Sequence, residues 1–293
     1  MNEFTKQSFV SATQLLEYLS PLNELFWPED SAFVFRGQPS ADFYLEPSAY
    51  RTEGAVTAPN SVGDKDVSVG EQLLFEAEVI QQFIEGSDSC GLQLPGDSPI
   101  ARDIFKNMGV YLETPSLWPP AEIHQILAAA QHHGVPTCLL DWTRRQYIAA
   151  YFAASSALHL PSPPRHIAIW AISTGESDSW DGLRLISMAG STSVNLAAQS
   201  GLFTLSTLQQ NHDDYFTPMR GEWVSGFSSV KKIRKMTLPF SEVKALLLSL
   251  NKLGVSAATL FPGYEGVARA VKDWAKLNRK EFDRNQVSIR DLI

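Results

Sequence analysis

The chain has 293 residues and a net charge of −8, with 44% hydrophobic, 11% aromatic and 19% charged residues. That balance excludes a disordered chain, and no stretch approaches the ~18–20 apolar residues a membrane helix needs. The acidity argues against a general nucleic-acid binder, whose phosphate contacts need a basic face. Two cysteines, Cys90 and Cys138, make neither a disulfide framework nor a zinc set, and the N-terminus lacks a basic stretch followed by an apolar one. A cytoplasmic protein with no membrane partner is expected.

Taken in chain order, Ser11 to Gln14 reads as a capping box, and Leu15, Leu16 and Leu19 then share one helical face, so residues 1–30 form a helical lead-in. Ser31 to Phe35 is an apolar run that predicts a strand, ending in a turn at Arg36-Gly37-Gln38. Residues 52–69 are small and polar and predict a loop. Leu73, Ala77, Ile80 and Ile84 predict an amphipathic helix, with a second loop over residues 86–99.

Pro119-Pro120 opens a helix carrying Ile123, Ile126, Leu127 and Ala130, closed by Gly134. Cys138 to Leu140 predicts a short buried strand. Thr143 to Gln146 reads as a second capping box, before a helix from Tyr147 to Leu158 that is apolar nearly all round and therefore central. Pro161 to Pro164 breaks the chain ahead of a strand over residues 166–172.

Further strands are expected at residues 201–205 and 231–238, the second a charged edge strand bearing Lys231, Lys232, Arg234 and Lys235. Ser241 caps a helix through Leu253, residues 255–261 look strand-like, and residues 266–277 form a last amphipathic helix. The irregular order of strands and helices predicts an α+β class and a single domain over residues 1–293. Phosphate loops, dinucleotide glycine fingerprints and nucleophile elbows are absent from the sequence.

Four clusters carry candidate chemistry. Arg36 closes an apolar strand beside Gly37, whose open backbone suits a phosphate held by a planar guanidinium; the plain alternatives are a salt bridge to an acid such as Asp42 or a buried structural ion pair with Asp141. Gln131-His132-His133 leads into Asp141-Trp142-Thr143, between a buried strand and a buried helix. Each histidine reads by default as a core or helix-end residue, and no metal set accompanies them. Gln199 precedes a strand, and Glu265 precedes Gly266 at a helix entry.

In order, these clusters resemble the FRG domain family. The resemblance rests on Phe35-Arg36-Gly37-Gln38, Leu45-Glu-Pro47-Ser48-Ala-Tyr50-Arg51, Gln131 through Thr143, Ala149 to Ala153, Gln199 to Thr204 and Leu260 to Gly266, with core motifs over residues 33–271. Cys138 stands where the family often has arginine. The order of elements is also similar to that of ADP-ribosyltransferases, which implies a split, mostly antiparallel sheet surrounded by helices.

The resemblance implies an NAD-consuming transferase of the toxin-like effector kind met in bacterial anti-phage defence. NAD is then the substrate, with an unidentified macromolecular acceptor and a neutralising or regulatory protein as partners. Carried over by position, Arg36, Asp141 and Gln199 take catalytic roles, with Asp141 and Glu265 the candidate acids. Arg36, Gly37, Gln38 and Thr143 contact the nucleotide, while Trp142 or Tyr151 stacks on its nicotinamide. Gly201 stands where the catalytic glutamate is expected. That departure keeps open a non-catalytic nucleotide- or protein-binding module and, behind it, a metal-dependent nuclease-like toxin.

Overall fold

The structure, a computed structural model, describes residues 3–24, 27, 32–51, 67–188, 194–207, 215–216, 227 and 229–290. The loop expected at residues 52–69 lies outside them as far as residue 66.

The first element is a strand, β1 (Glu3–Ser8), followed by α1 (Ala12–Tyr18), which Ser11 caps as expected, its hydroxyl accepting from Gln14 N at 3.3 Å. Gln14 Oε1 accepts from Val10 N rather than closing the expected capping box. Next come β2 (Phe33–Gln38), the two-residue β3 (Val67–Ser68) and the long helix α2 (Val69–Ser89). Leu73, Ala77, Ile80 and Ile84 are all buried, as their spacing requires. The short helices α3 (Pro99–Ile104) and α4 (Gly109–Glu113) lead to α5 (His124–His132), then β4 (Leu139–Thr143) and α6 (Gln146–Leu158).

The chain continues through β5 (His166–Ser173), β6 (Leu183–Ile186), α7 (Val194–Gln199), β7 (Gly201–Ser206), β8 (Tyr215–Phe216) and β9 (Lys232–Pro239). It ends with α8 (Val243–Lys252), α9 (Ala257–Leu260) and α10 (Tyr264–Arg290).

Seven strands form one sheet in the order β1-β9-β5-β2-β4-β7-β6, and β3 and β8 pair separately. Only β1 and β9 run parallel; the other neighbours in the large sheet are antiparallel. The class is α+β. The sheet is joined unevenly. β2 pairs with β5 over six residues, whereas β2 and β4 share one pair, Phe35 with Thr143. Beyond that pair the strands part, dividing the sheet into β1-β9-β5-β2 and β4-β7-β6.

Each half has its own helical cover. Phe33, Phe35, Ile167, Ile169 and Met236 pack with α1, α6 and α8, while Leu139, Phe203 and Leu205 pack with α2 and α5. The reverse face buries Val34, Leu140, Trp142, Trp170 and Ile233 under Leu45, Trp180 and Phe227.

Several expectations are corrected. The lead-in begins with β1, whose polar sequence hides a strand; hydrogen bonds from β9, not apolar burial, define it. β9 is accordingly interior, and Lys235 is buried with its ammonium 4.8 Å from the Trp170 ring centre. Residues 255–261 contain the helical turn α9, because Thr259 Oγ1 accepts from Ser256 N at 3.0 Å and closes a capping box. Helix α8 starts after a short 3-10 turn with Glu242, not Ser241, at its cap; the Glu242 carboxylate accepts from Ala12 N at 3.0 Å.

β2 runs straight through Arg36, Gly37 and Gln38 with no turn. Helix α6 lies directly on it. A Cβ at position 37 would stand 2.0 Å from the Ala149 carbonyl oxygen and 2.5 Å from Ala153 N. The space that Gly37 leaves is thus filled by a helix whose Ala149, Ala150, Ala153 and Ala154 bring its backbone close.

Candidate functional site

The parting of β2 and β4 opens a groove of about 920 Å³, within the ~300–1,000 Å³ of typical ligand sites. Arg36, Asp141, Thr143 and Gln199, far apart in sequence, all line it. Arg36 reaches across the split: its Nη1 donates to the Asp141 carbonyl at 2.8 Å and lies 3.6 Å from Asp141 Oδ2. The Arg36 side chain is 13% exposed and that of Asp141 62%. The contact is therefore no sealed ion pair, and Asp42 is not the partner.

Arg36 Nε is buried without a hydrogen-bond partner. Burial draws the Arg36 pKa down to about 10, against the opposing pull of Asp141, with nearby Arg51 lowering it further. The guanidinium stays charged at neutral pH, poorly solvated and incompletely bonded. Such a group favours an anionic ligand.

The other expected contacts divide into two groups. Thr143, Gln199, Trp142, Gly37 and Gln38 line the groove but are engaged elsewhere. Thr143 Oγ1 donates to the Gln199 carbonyl at 2.6 Å and accepts from Arg145 N at 3.1 Å, so the expected capping box with Gln146 does not form and α6 starts without a side-chain cap. Gln199 Nε2 donates to the Leu260 carbonyl at 3.1 Å. Trp142, buried on the reverse face with Leu140, donates to Thr204 Oγ1 at 2.9 Å. Gln38 is buried, accepts from Trp170 Nε1 at 2.7 Å and donates to the Tyr44 carbonyl at 2.7 Å, which pins the loop after β2.

Tyr151 and Glu265 do not line the groove. The Tyr151 hydroxyl donates to Asp273 Oδ2 at 2.8 Å, where Ser155 and His159 also bond, joining α6 to α10. Glu265 accepts from Arg269 Nη2 at 2.6 Å on the exposed start of α10, and that contact holds its carboxyl below the usual range. Gly201 lines the groove, and a Cβ there would come 2.5 Å from Leu196 Cδ1. The carboxylates that do line it are Asp42, Glu46 and Asp141. Among the described residues no group of three His, Cys, Asp or Glu side chains is placed to hold a metal ion.

Sequence reasoning gave no groove role to Arg51, Arg269, Phe43 or Tyr44, and His132, placed in a candidate cluster but read by default as a core or helix-end residue, lines the groove as well. His132 Nε2 stands 2.8 Å from Asn195 Nδ2, and partial burial lowers the His132 pKa. It also missed Glu76, buried in α2, which accepts from Gln72 Nε2 at 2.9 Å and Trp118 Nε1 at 3.0 Å. Burial raises its pKa to about 7 against those bonds and others from Cys138 and Tyr50. A signal existed: Glu76 stands three residues after Leu73 and four before Ile80, on the buried stripe.

Residues 31–160 match the family model described as FRG domain. That span runs from β2 through α6 and holds Arg36, Arg51, Asp141 and Thr143, but neither Gln199 nor Glu265. No curated protein and no solved structure matches the chain.

Proposed function

Starting from a chain that carries an FRG domain over residues 31–160, we propose that the groove binds NAD and transfers its ADP-ribosyl group to an acceptor. The observation that carries this reading is the buried, incompletely bonded Arg36 beside the exposed carboxylate of Asp141 in one groove.

Arg36 holds the diphosphate, and that binding energy positions the reacting bond. Cleavage between nicotinamide and ribose passes through an oxocarbenium-like state, and the bonding pair leaves with nicotinamide. Asp141, solvent-facing and unburdened by a short ion pair, stabilises the developing positive charge on the ribose. The acceptor's nucleophile then bonds to the same ribose carbon and releases its proton. Gln38, Thr143 and Gln199 act as positioning residues: Gln38 fixes the wall through Tyr44, and the Thr143–Gln199 bond fixes the floor. Glu265 keeps no role in this scheme, since it does not line the groove and its carboxylate is taken by Arg269. A toxin-like effector role in bacterial defence, with a neutralising protein, is the setting that fits such an activity.

The test is incubation of the protein with labelled NAD and a cell lysate. Nicotinamide release and label transfer are expected, both lost in Asp141→Ala and Arg36→Ala. Activity that survives both substitutions removes this site.

A second reading is a module that binds a nucleotide without cleaving it. Gly201 favours it, because no acid comes from the start of β7. Calorimetry separates the two: NAD bound but never cleaved supports the module.

A further inference from the structure

The segment between β2 and α2 carries a second guanidinium into the groove. Arg51 follows the 3-10 turn Ser48–Tyr50, and that turn is held from several sides. The Ser48 hydroxyl accepts from Thr137 N at 3.0 Å and donates to the Thr137 carbonyl at 3.3 Å. Ala49 N donates to the same carbonyl at 3.1 Å, and Tyr50 is buried in the core beneath. The backbone at Arg51 is therefore preorganised by the lead into β4, the strand that supplies Asp141.

Both arginines are aimed in the same way. Arg51 Nε donates to the Glu46 carbonyl at 3.1 Å, and Arg36 Nη1 donates to the Asp141 carbonyl at 2.8 Å. A backbone oxygen orients each fork, and the exposed Asp141 carboxylate, 3.6 Å from Arg36 Nη1, offsets only part of that arginine's charge. Among the described residues, the terminal nitrogens of Arg51 have no hydrogen-bond partner. Arg36 keeps its buried Nε unpaired. Two like charges held on rigid anchors repel each other until an anion lies between them. Phe43 and Tyr44, 47% and 44% exposed on the loop that Gln38 pins, add ring faces to the same wall.

We propose that Arg36 and Arg51 form a two-armed clamp for a diphosphate ester of a nucleoside, one phosphoryl group on each guanidinium, with Phe43 or Tyr44 beneath the base. The clamp rests on reading the groove as a nucleotide site, but it does not require that nicotinamide be released.

Calorimetric titrations with ADP-ribose, AMP and inorganic phosphate test it on the native protein and on Arg51→Gln, with Arg102→Gln as a charge-matched control outside the groove. The native protein should hold ADP-ribose roughly tenfold or more tighter than AMP, because the second phosphate adds charge-assisted hydrogen bonds. Arg51→Gln should abolish that preference while AMP affinity stays within about twofold. Arg51 is exposed, so the variant's thermal melt should match that of the native protein. The clamp is overturned if Arg51→Gln weakens both ligands equally or neither, or if the native protein does not prefer ADP-ribose. The transferase reading fails separately: ADP-ribose bound through Arg51 with NAD left uncleaved keeps the clamp and removes the transfer. NAD cleaved with no dependence on Arg51 does the reverse.

Discussion

Arg36 and Glu76 are both ionisable groups taken into the protein, and they are solved in opposite ways. Glu76 is enclosed in α2 and ringed by donors: Gln72 on one oxygen, Trp118 on the other, with Tyr50 and Cys138 close by. Arg36 has one nitrogen on a backbone carbonyl, another buried with nothing, and a groove in front of it. Both are desolvated, but only Glu76 has both carboxylate oxygens hydrogen-bonded inside the fold, and burial still lifts its pKa to about 7. A buried group whose bonds are complete is structural; one whose bonds are incomplete beside a cavity is available to a ligand.

Substitutions at the enclosed site should therefore cost the most stability. Glu76→Ala removes the acceptor for Gln72 and Trp118 and opens a cavity, for an expected loss of about 3–4 kcal/mol in chemical denaturation. A loss below about 1 kcal/mol would show that the donors re-pair with water.

Near Arg36, stability is expected to reside in Gly37. Gly37→Ala drives a methyl group into the Ala149 carbonyl and should cost about 3 kcal/mol by forcing α6 away from β2. If the variant melts like the native protein, the close approach of α6 is not the constraint described above.

The pH dependence of stability sharpens the same comparison. The Glu76 pKa rises from 4.5 to about 7 on folding, so the folded state binds more protons between those values. Its contribution is present below pH ~4.5 and is lost as pH rises through about 7, at no more than ~1.4 kcal/mol per pH unit. Subtracting the stability curve of Glu76→Gln from that of the native protein should leave a fall confined to this window. A flat difference would mean the carboxyl titrates as it does in the unfolded chain.

The smallest stability effect is expected at Arg36. Because its partner Asp141 is 62% exposed, Arg36→Ala should shift unfolding by less than about 1 kcal/mol while abolishing anion binding. A drop of ~3–5 kcal/mol would instead mark a structural ion pair and withdraw the site.

Periodicity alone determined the amphipathic α2, α5 and α8, because the faces of these helices are set by residues within the same segment. The apolar run at Phe33–Phe35, the alanines of α6 and the motif residues Arg36 and Asp141 were likewise legible in order along the chain. Only the tertiary structure decided what depends on a distant partner. β1 is a strand because β9 offers its backbone groups, and β9 is interior for the same reason. Gly37 reads as ligand space until α6 is laid on it. Gln38, Thr143, Gln199 and Tyr151 read as ligand contacts until Tyr44 and Trp170, the Gln199 carbonyl, Leu260 and Asp273, respectively, are found to take their hydrogen bonds. Local sequence specifies which face is apolar; which polar groups remain unpaired depends on contacts between segments a hundred residues apart, and the groove is where the sheet fails to close.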